Sequence, residues 1–351
     1  MKFNYNGISQ FSSIRNTASS STLDRLGFKS EGTNLNLRYQ NNTIIADSLF
    51  GIKYNLSNFD LNKYGFNHVT SEKTIGLYQN NNASQLAILT DGIYNNIDFT
   101  VNTLDNQTSL LNTLSGLNLT YFKRAPSQLF DKDAKSLNQR VASNSNKDFV
   151  TITYQVIAPP HSQLYVSIPN ISWSDDNNHS LSITVNGMTK NQVTDNTFDF
   201  FDLGYFETES MVTIKLSFPG NKAISFDNPS FYALDTQNYQ IAMDTINERD
   251  SKVTTSKNKV FVDYSSKTNA SLFFTIPYDK GWTATINHKK VKIQRAQKGF
   301  MKVDVPSGKG KVVLTFIPYG LKTGSLISLL ASIIFCCYAY FIRKTTIIQK
   351  S

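Results

Sequence analysis

The chain has 351 residues, of which 40% are hydrophobic and 12% aromatic, enough for two or three compact domains with sizeable cores. Its formal net charge of +9 suits an anionic partner such as a polymer phosphate, a lipid head group or nucleic acid, although a solvated basic surface accounts for the same charge. Because its two cysteines are Cys336 and Cys337, residues 1–335 cannot contain a disulfide or a cysteine metal site.

The first 130 residues predict a mixed α/β domain. "STLDRLG" (21–27) predicts a short helix that begins at its serine and ends at its glycine. "NTIIADSLFGIKYNLS" (42–57) predicts two strands with a bend between them, and the apolar runs flanking the asparagine-rich stretch 80–82 predict a hairpin. "TSLLNTLSGL" predicts a helix, because its leucines are spaced to share one buried face. These leucines are Leu110, Leu111, Leu114 and Leu117.

The rest of the chain up to residue 320 predicts β structure. A polar stretch at 131–148 is typical of a linker. From residue 149 onward, apolar and polar residues alternate as they do in strands with one buried face. The alternation and the turn signals predict one antiparallel β-sandwich at 149–236 and a second, membrane-proximal one at 237–320. The two units repeat an order of strand, polar hairpin, strand, turn and terminal strand.

The C-terminal segment predicts a transmembrane helix at 323–343, followed by a short tail at 344–351. Gly324 to Ile342 is uncharged, and a helix of that length spans about 28 Å, close to the hydrocarbon thickness of a bilayer. A buried helix of a soluble core is the alternative. Aromatic residues followed by basic ones are typical of a membrane interface. The predicted interface residues are Tyr338, Tyr340, Arg343 and Lys344.

The side of the membrane that the chain faces does not follow from its charges. Basic residues precede and follow the span, and long domains are translocated largely regardless of charge. No apolar secretory segment occurs near the N-terminus. We therefore expect either a tail-anchored protein that faces the cytoplasm or a piece of a longer membrane protein.

Recognisable catalytic chemistry is absent from the sequence. The four histidines lack metal-ligand spacing, and no P-loop, dinucleotide-binding or nucleophile-elbow motif occurs. No catalytic, cofactor-binding or metal-binding residue is predicted, and no cofactor is expected.

The most specific local feature is "PYDKGWTATINHKK" (277–290). Tyr278 and Trp282 could stack on sugar faces while Asp279 binds sugar hydroxyls. Lys289 and Lys290, with lysines nearby, could attract an anionic lipid or polymer. The alternative is a β-turn whose tryptophan fills the end of the sandwich core.

Several stretches in series resemble the C-terminal third of the YfhO family of bacterial membrane proteins: "GISQFSSIRN", "ADSLFGIKYNLS", "GLYQNNNASQLAIL", "PYDKGWTATINHKKVKI" and "VPSGKGKVVLTFIPYGLKTGSLISLL". The resemblance implies a larger protein with many helices and a fold like that of GT-C glycosyltransferases. It implies sugar transfer from polyprenyl-phosphate carriers onto envelope polymers such as lipoteichoic acid in Gram-positive bacteria. It also implies that this region is extracytoplasmic and that its last helix returns to the cytoplasm.

The expected fold is mainly β with a mixed α/β N-terminal part, two antiparallel β-sandwich-like units and one C-terminal transmembrane helix. The expected function is the envelope-facing portion of a YfhO-like glycosyltransferase, which binds or positions acceptor polymer or lipid-linked sugar. Whether this chain is itself an enzyme stays open, because the catalytic membrane portion is not part of it. The alternative is a non-catalytic, membrane-anchored module that binds surface carbohydrate or polymer.

The expected location is the cell membrane, crossed once, with the bulk of the chain outside and the C-terminus in the cytoplasm. The expected partners are the bilayer, a polyprenyl-phosphate sugar, an anionic envelope polymer and a separately encoded polytopic membrane portion. Nucleic acid is not an expected partner.

Overall fold

The computed structural model describes residues 10–11, 17–28, 36–37, 43–132, 148–173, 179–194 and 200–348. The fold is mostly β with several antiparallel sheets and a long C-terminal helix, which confirms the expected fold class. Its five helices in this part of the chain are α1 (Thr17–Asp24), α2 (Ile44–Leu49), α3 (Thr103–Ser115), α4 (Thr236–Asn247) and α5 (Leu321–Ile348).

The N-terminal strands serve three different sheets. Their bounds are β1 (Gln10–Phe11), β2 (Asn36–Leu37), β3 (Tyr54–Ser57), β4 (Phe66–Glu72), β5 (Ile75–Asn80), β6 (Ala87–Leu89), β7 (Phe122–Arg124) and β8 (Ser127–Lys132). Strands β1 and β2 pair with each other, and β3, β5 and β4 form a small sheet in that order. Strand β6 joins the second sandwich, while β7 and β8 join the first.

The first sandwich comprises β9 (Phe149–Ala158), β10 (Ser162–Ser167), β11 (Ser172–Trp173), β12 (His179–Val185), β13 (Met188–Thr194), β14 (Phe200–Phe206), β15 (Ser210–Pro219), β16 (Ile224–Ser225) and β17 (Ser230–Asp235). Its outer sheet has the order β13-β12-β15-β9-β8, and its inner sheet has the order β14-β10-β17-β7. Strands β11 and β16 form a separate pair. Side chains from these sheets form one continuous apolar core.

The second sandwich comprises β18 (Ser251–Ser256), β19 (Lys259–Ser266), β20 (Ala270–Phe274), β21 (Trp282–Ile286), β22 (Lys289–Val291), β23 (Gln294–Ala296), β24 (Phe300–Val305) and β25 (Gly308–Phe316). Its outer sheet has the order β22-β21-β25-β19-β18, the same as the outer sheet of the first sandwich. Its inner sheet has the order β23-β24-β20-β6 and encloses a second core.

An asparagine hairpin occupies the same place in both outer sheets. Asn186, between β12 and β13, and Asn287, between β21 and β22, both have φ +47°. Each exchanges backbone and side-chain hydrogen bonds with the neighbouring strand: the side-chain Oδ1 accepts from the backbone N of Thr213 (3.2 Å) or Lys311 (2.9 Å). Because asparagine tolerates positive φ, it suits this type of tight hairpin. The shared device and strand order identify the two sandwiches as structural repeats.

A third core lies between the sandwiches. It contains side chains from the N-terminal helices, from α3 and α4, and from the inner sheets, including Tyr165 of the first sandwich and Phe273 of the second. The inner sheets are therefore covered on both faces, which explains why all five residues of β20 are buried.

Capping residues set the limits of the helices in this central layer. Asn102 accepts hydrogen bonds from two backbone N–H groups at the start of α3, and Gly116 ends that helix with φ +77°. Asp235 caps α4 in the same way. The leucine face predicted for α3 is confirmed for Leu110, Leu111 and Leu114, which are buried, whereas Leu117 follows the end of the helix and is only partly buried.

Two expectations for the N-terminal part are wrong, and a third, the helix expected at 21–27, is present with shifted bounds. Residues 44–49 form helix α2 rather than a strand, because Thr43 caps the segment and every one of its residues is buried. Helix α1 begins at Thr17, four residues before the predicted start. Strands β5 and β6 do not form a hairpin: β5 pairs with β3 and β4, and β6 pairs with β20.

The expected domain boundaries stay predictions. Most of the linker expected at 131–148 lies outside the described residues. The region 1–130 supplies strands to both sandwiches, so the sheets run across its expected boundary.

Candidate functional site

The second sandwich is tied directly to the candidate membrane span. Strand β25 ends at Phe316 and α5 begins at Leu321, so four residues separate sheet and helix. The segment Leu321–Tyr340 has a mean hydropathy of 1.7, and none of it is buried in the fold. A linker of four residues reaches about 14 Å at most, so this sandwich lies beside any membrane that α5 crosses.

The predicted interface residues all lie on α5. Tyr338 and Tyr340 are exposed, as apolar residues of this helix are. Arg343 and Lys344 follow in the same helix. This order is typical of the end of a span, although which side of the membrane that end occupies stays a prediction.

A tight turn forms at the start of β21. The backbone N–H of Gly281 donates to Oδ1 of Asp279 (2.7 Å), and the N–H of Trp282 donates to the carbonyl of Asp279 (3.2 Å). Trp282 is half-buried against the second core, with its ring centroid 5.0 Å from that of Phe316. The β-turn expected as the alternative to a sugar platform is therefore present. Its tryptophan, however, is only partly buried in the core.

The other member of the expected sugar platform already contacts a cation. The guanidinium of Arg295 lies over the ring of Tyr278, 4.5 Å from its centroid. Tyr278 packs against the second core, and its backbone N–H donates to the carbonyl of Gly299 (2.9 Å). Tyr278, Asp279 and Trp282 are thus neighbours at the membrane end of the sandwich, and sugar binding there stays a prediction.

The outer sheet of the second sandwich carries basic residues on its outward side. In an antiparallel sheet, residues opposite each other point to the same side. Five exposed lysines share that side, and we call them the lysine face: Lys252, Lys259, Lys290, Lys309 and Lys311. One carboxylate of these strands accompanies them, Asp263, whose Oδ1 lies 3.4 Å from the Nζ of Lys311.

The strand register separates the two lysines predicted from the hairpin. Lys290 lies opposite Thr285 and points outward, whereas Lys289 lies opposite the buried Ile286. Lys252 and Lys259 were not singled out from the sequence. Lys259 alternates with buried residues along β19 and Lys252 with partly buried ones along β18, but their nearness to the hairpin follows only from the strand order.

The equivalent face of the first sandwich is nearly uncharged. It carries hydroxyl and amide side chains, several of which bond one another, as do Thr184 and Thr189 with oxygens 2.7 Å apart. Among the described strands of that sheet, Lys215 is its one outward lysine. The positive face therefore belongs to the sandwich that adjoins the span, and it does not follow from the shared fold.

A buried ion pair in the central layer is the second candidate. Asp47 on α2 pairs with Lys63, and both side chains are almost fully enclosed. Burial raises the pKa of Asp47 to about 6, although Lys63 acts in the opposite direction. Burial also raises the pKa of the nearby Tyr165. Because no part of the Asp47 side chain is exposed, the pair ties α2 to the segment between β3 and β4 and does not offer a site to a ligand.

Metal ligands do not converge in the described part of the chain. No group of three His, Cys, Asp or Glu residues there could hold an ion.

Comparison with known proteins points to a membrane protein family. The family model described as "Bacterial membrane protein YfhO" matches residues 1–328. A Bacillus subtilis (strain 168) protein described as "Uncharacterized protein YfhO" is 26% identical over 141 residues. That alignment covers 38% of this chain and 16% of the relative, so the chain corresponds to a small part of the relative's length.

Similarity to solved structures is weak. A cycloisomaltooligosaccharide glucanotransferase from Paenibacillus sp. has a TM-score of 0.23 and 8% identity, over 59% of this chain and 50% of the other. A conserved protein of unknown function from Pseudomonas aeruginosa has a TM-score of 0.15 and 10% identity, over 56% and 92%. Similarity at this level supports no argument about fold or function.

Proposed function

Because the chain belongs to the YfhO family of bacterial membrane proteins, we propose that it is the envelope-facing, membrane-anchored portion of a YfhO-like glycosyltransferase. In this proposal it binds or positions a phosphate-bearing acceptor polymer or polyprenyl-phosphate sugar during lipoteichoic acid-type glycosylation. The polytopic membrane portion supplies catalysis, and no residue of this chain is assigned a catalytic role.

The lysine face is the observation that supports this role. Its five lysines are exposed, share one side of the outer sheet and are accompanied by one carboxylate in these strands. A surface of this kind attracts repeated phosphates, and it lies in the sandwich from which the candidate span leaves after four residues. Both polymer phosphates and polyprenyl phosphates are found close to a membrane surface, so one face could serve either.

Binding of poly(glycerol phosphate) to the full chain tests the role. The chain would be placed in nanodiscs of neutral phosphatidylcholine, so that the lipid contributes no net charge. Lysines near a charged surface contribute about 1 kcal/mol each, so Lys309→Ala with Lys311→Ala should weaken binding roughly thirtyfold. Adding polyprenyl phosphate to the nanodisc as a competitor distinguishes the lipid-linked ligand from the polymer.

The matched control is Lys215→Ala, which removes the lysine of the equivalent face in the first sandwich. It should leave the affinity unchanged. Equal affinities of the Lys309/Lys311 double variant and the Lys215 variant would overturn the role of the lysine face.

The second candidate, a carbohydrate-binding module, is favoured by the partly enclosed Trp282 beside Tyr278. Stacking on sugar rings is insensitive to salt, unlike the attraction of phosphate to lysines. Binding of a neutral glycan that persists in high salt and is lost in Trp282→Ala would favour this candidate.

The orientation is part of the proposal and has its own test. Cys336 and Cys337 would be replaced by serine, and Lys215→Cys would supply one exposed thiol. A membrane-impermeant maleimide should label this thiol in intact cells. Labelling that requires lysis would overturn the extracytoplasmic placement.

A further inference from the structure

The two sandwiches end differently on the side where the last strand of the outer sheet terminates. Phe218 in β15 and Phe316 in β25 are equivalent, because each lies five residues beyond the residue bonded by the hairpin asparagine. In the first sandwich, Phe218 is fully buried and stacks on Phe226, with centroids 4.7 Å apart. Strands β11 and β16 cover this end, and Trp173 of β11 is 1% exposed.

The corresponding end of the second sandwich is open. Phe316 and Trp282 lie opposite each other at the edge of the second core, and both are only half-buried. From 237 to 348, all of which the structure describes, no strand pair covers them. The chain instead continues from Phe316 into the linker and α5.

Aromatic and basic side chains surround this open end. The Nζ of Lys280 lies 5.8 Å from the ring centroid of Tyr319, which is 81% exposed and precedes α5 by two residues. Arg295 of β23 lies over the ring of Tyr278, which directly precedes the turn at Asp279. We call this group the collar: Tyr278, Lys280, Trp282, Arg295, Phe316 and Tyr319.

The collar is fixed to the linker that leads into the helix. The backbone N–H of Ile317 donates to the carbonyl of Gly281 (3.0 Å). A side chain at Gly281 would collide with the carbonyl oxygen of Ile317 and with the ring of Phe316, so only glycine permits this approach. The turn is therefore held against the first residue of the linker, which places the collar next to the segment that leads into α5.

We propose that the collar lies in the head-group region of the bilayer that holds α5, and that this region covers the open end of the second sandwich. Trp and Tyr rings favour that depth because they combine an apolar body with a polar group. Lys280 and Arg295 match the phosphates of the head groups. Tyr319 is two residues from the span, so the bilayer is the surface that the collar must meet.

This inference goes beyond the proposed function and does not require it. The collar would sit in the interface whichever side of the membrane the sandwich occupies, and whether or not the lysine face binds a polymer.

The two tryptophans provide both a reporter and a control, because one lies in each sandwich. The full chain would be reconstituted in phosphatidylcholine vesicles that carry a nitroxide either on the head group or in the middle of the acyl chain. In Trp173→Phe, the remaining Trp282 should be quenched several-fold more by the head-group nitroxide than by the mid-chain one. In Trp282→Phe, the remaining Trp173 should show no quenching above that in label-free vesicles.

Equal quenching of Trp282 and Trp173 would overturn the inference, as would stronger quenching of Trp282 by the mid-chain nitroxide. Because replacing the buried Trp173 could disturb folding, the same quantity is also obtained from the difference between wild type and Trp282→Phe. If the full chain failed to bind poly(glycerol phosphate) while Trp282 was quenched as expected, only the proposed function would be contradicted.

Discussion

The two β-sandwiches share a strand order and a hairpin device, but their charges are opposite. Residues 149–236 contain nine carboxylates and three lysines, for a net charge of −6. Residues 237–320 contain twelve lysines and two arginines against six carboxylates, for a net charge of +8. The difference shows that the topology depends on buried residues and turns, while the outward faces are free to acquire separate roles.

The charges of the two outer sheets differ at equivalent outward positions. On the outer sheets, Thr213 of the first sandwich corresponds to Lys311 of the second, and Thr189 corresponds to Lys290. The inward positions stay apolar in both. At these outward positions the second sandwich carries lysines where the first carries threonines, and the basic surface belongs to the repeat beside the span.

The largest expected effect compares the covered end of the first sandwich with the open end of the second. Truncating a fully buried phenylalanine costs about 3–5 kcal/mol, so Phe218→Ala should reduce the free energy of unfolding by that amount. Phe316→Ala should cost roughly half as much, because Phe316 is only half-buried. Chemical denaturation of the full chain in detergent micelles measures both.

The micelle holds α5 in place of a bilayer, and the two substitutions remove the same side chain at equivalent positions of the two sandwiches. Equal losses of stability would contradict the distinction between a sealed and an open end.

The sequence predicted the parts of this comparison that rest on local patterns. Period-two alternation located β9, β12 and β15 of the first sandwich and β21, β24 and β25 of the second, and leucine spacing located α3. It failed at α2, because all six residues of that helix are buried and show no helical periodicity. It also failed at β6, whose partner β20 lies far along the chain, because alternation does not identify a partner strand.

Only part of the candidate site could be predicted from the sequence, for the same reason. The turn at Asp279 follows from local sequence, since a glycine lies two residues later. The lysine face does not, because Lys252 and Lys290 belong to opposite edges of one sheet and only the strand order places them on the same side. The open end required the second sandwich to be compared with the first.

The next effect compares a carboxylate of the central layer, Asp47, with a carboxylate of the second sandwich, Asp304, because they should respond to pH in opposite ways. Burial raises the pKa of Asp47 to about 6, above its value of 3.8 in the unfolded chain. Its contribution to stability is thus fully present below about pH 4 and is lost as the pH rises through 6, by an amount on the order of 3 kcal/mol.

Asp304 should show the reverse. Partial burial acts to raise its pKa, but hydrogen bonds from Ser271, Lys302 and Gln294 hold that pKa below the usual range. Its contribution is present above the unfolded value and is lost as the pH falls through the folded one. Urea titrations from pH 3 to 7 should show that Asp47→Asn removes the loss between pH 4 and 6. Asp304→Asn should remove part of the loss in acid. If Asp47→Asn left the pH dependence of the free energy of unfolding between pH 4 and 6 unchanged, the titration would belong to another group.

The smallest expected effect tests the asparagine hairpin that the two sandwiches share. Replacing Asn186 or Asn287 by alanine puts a residue that tolerates positive φ less well than asparagine at this position and removes an acceptor for the neighbouring strand, which together cost about 1–2 kcal/mol. Replacement by glycine keeps the positive φ and removes only the acceptor, so it should cost about half as much. Because geometry and partners match, the two sites should lose equal stability in denaturant titrations of the full chain. A loss at one site alone would mean that the hairpins differ in energy despite their common form, and the repeat would then be one of strand order without a common stabilising turn.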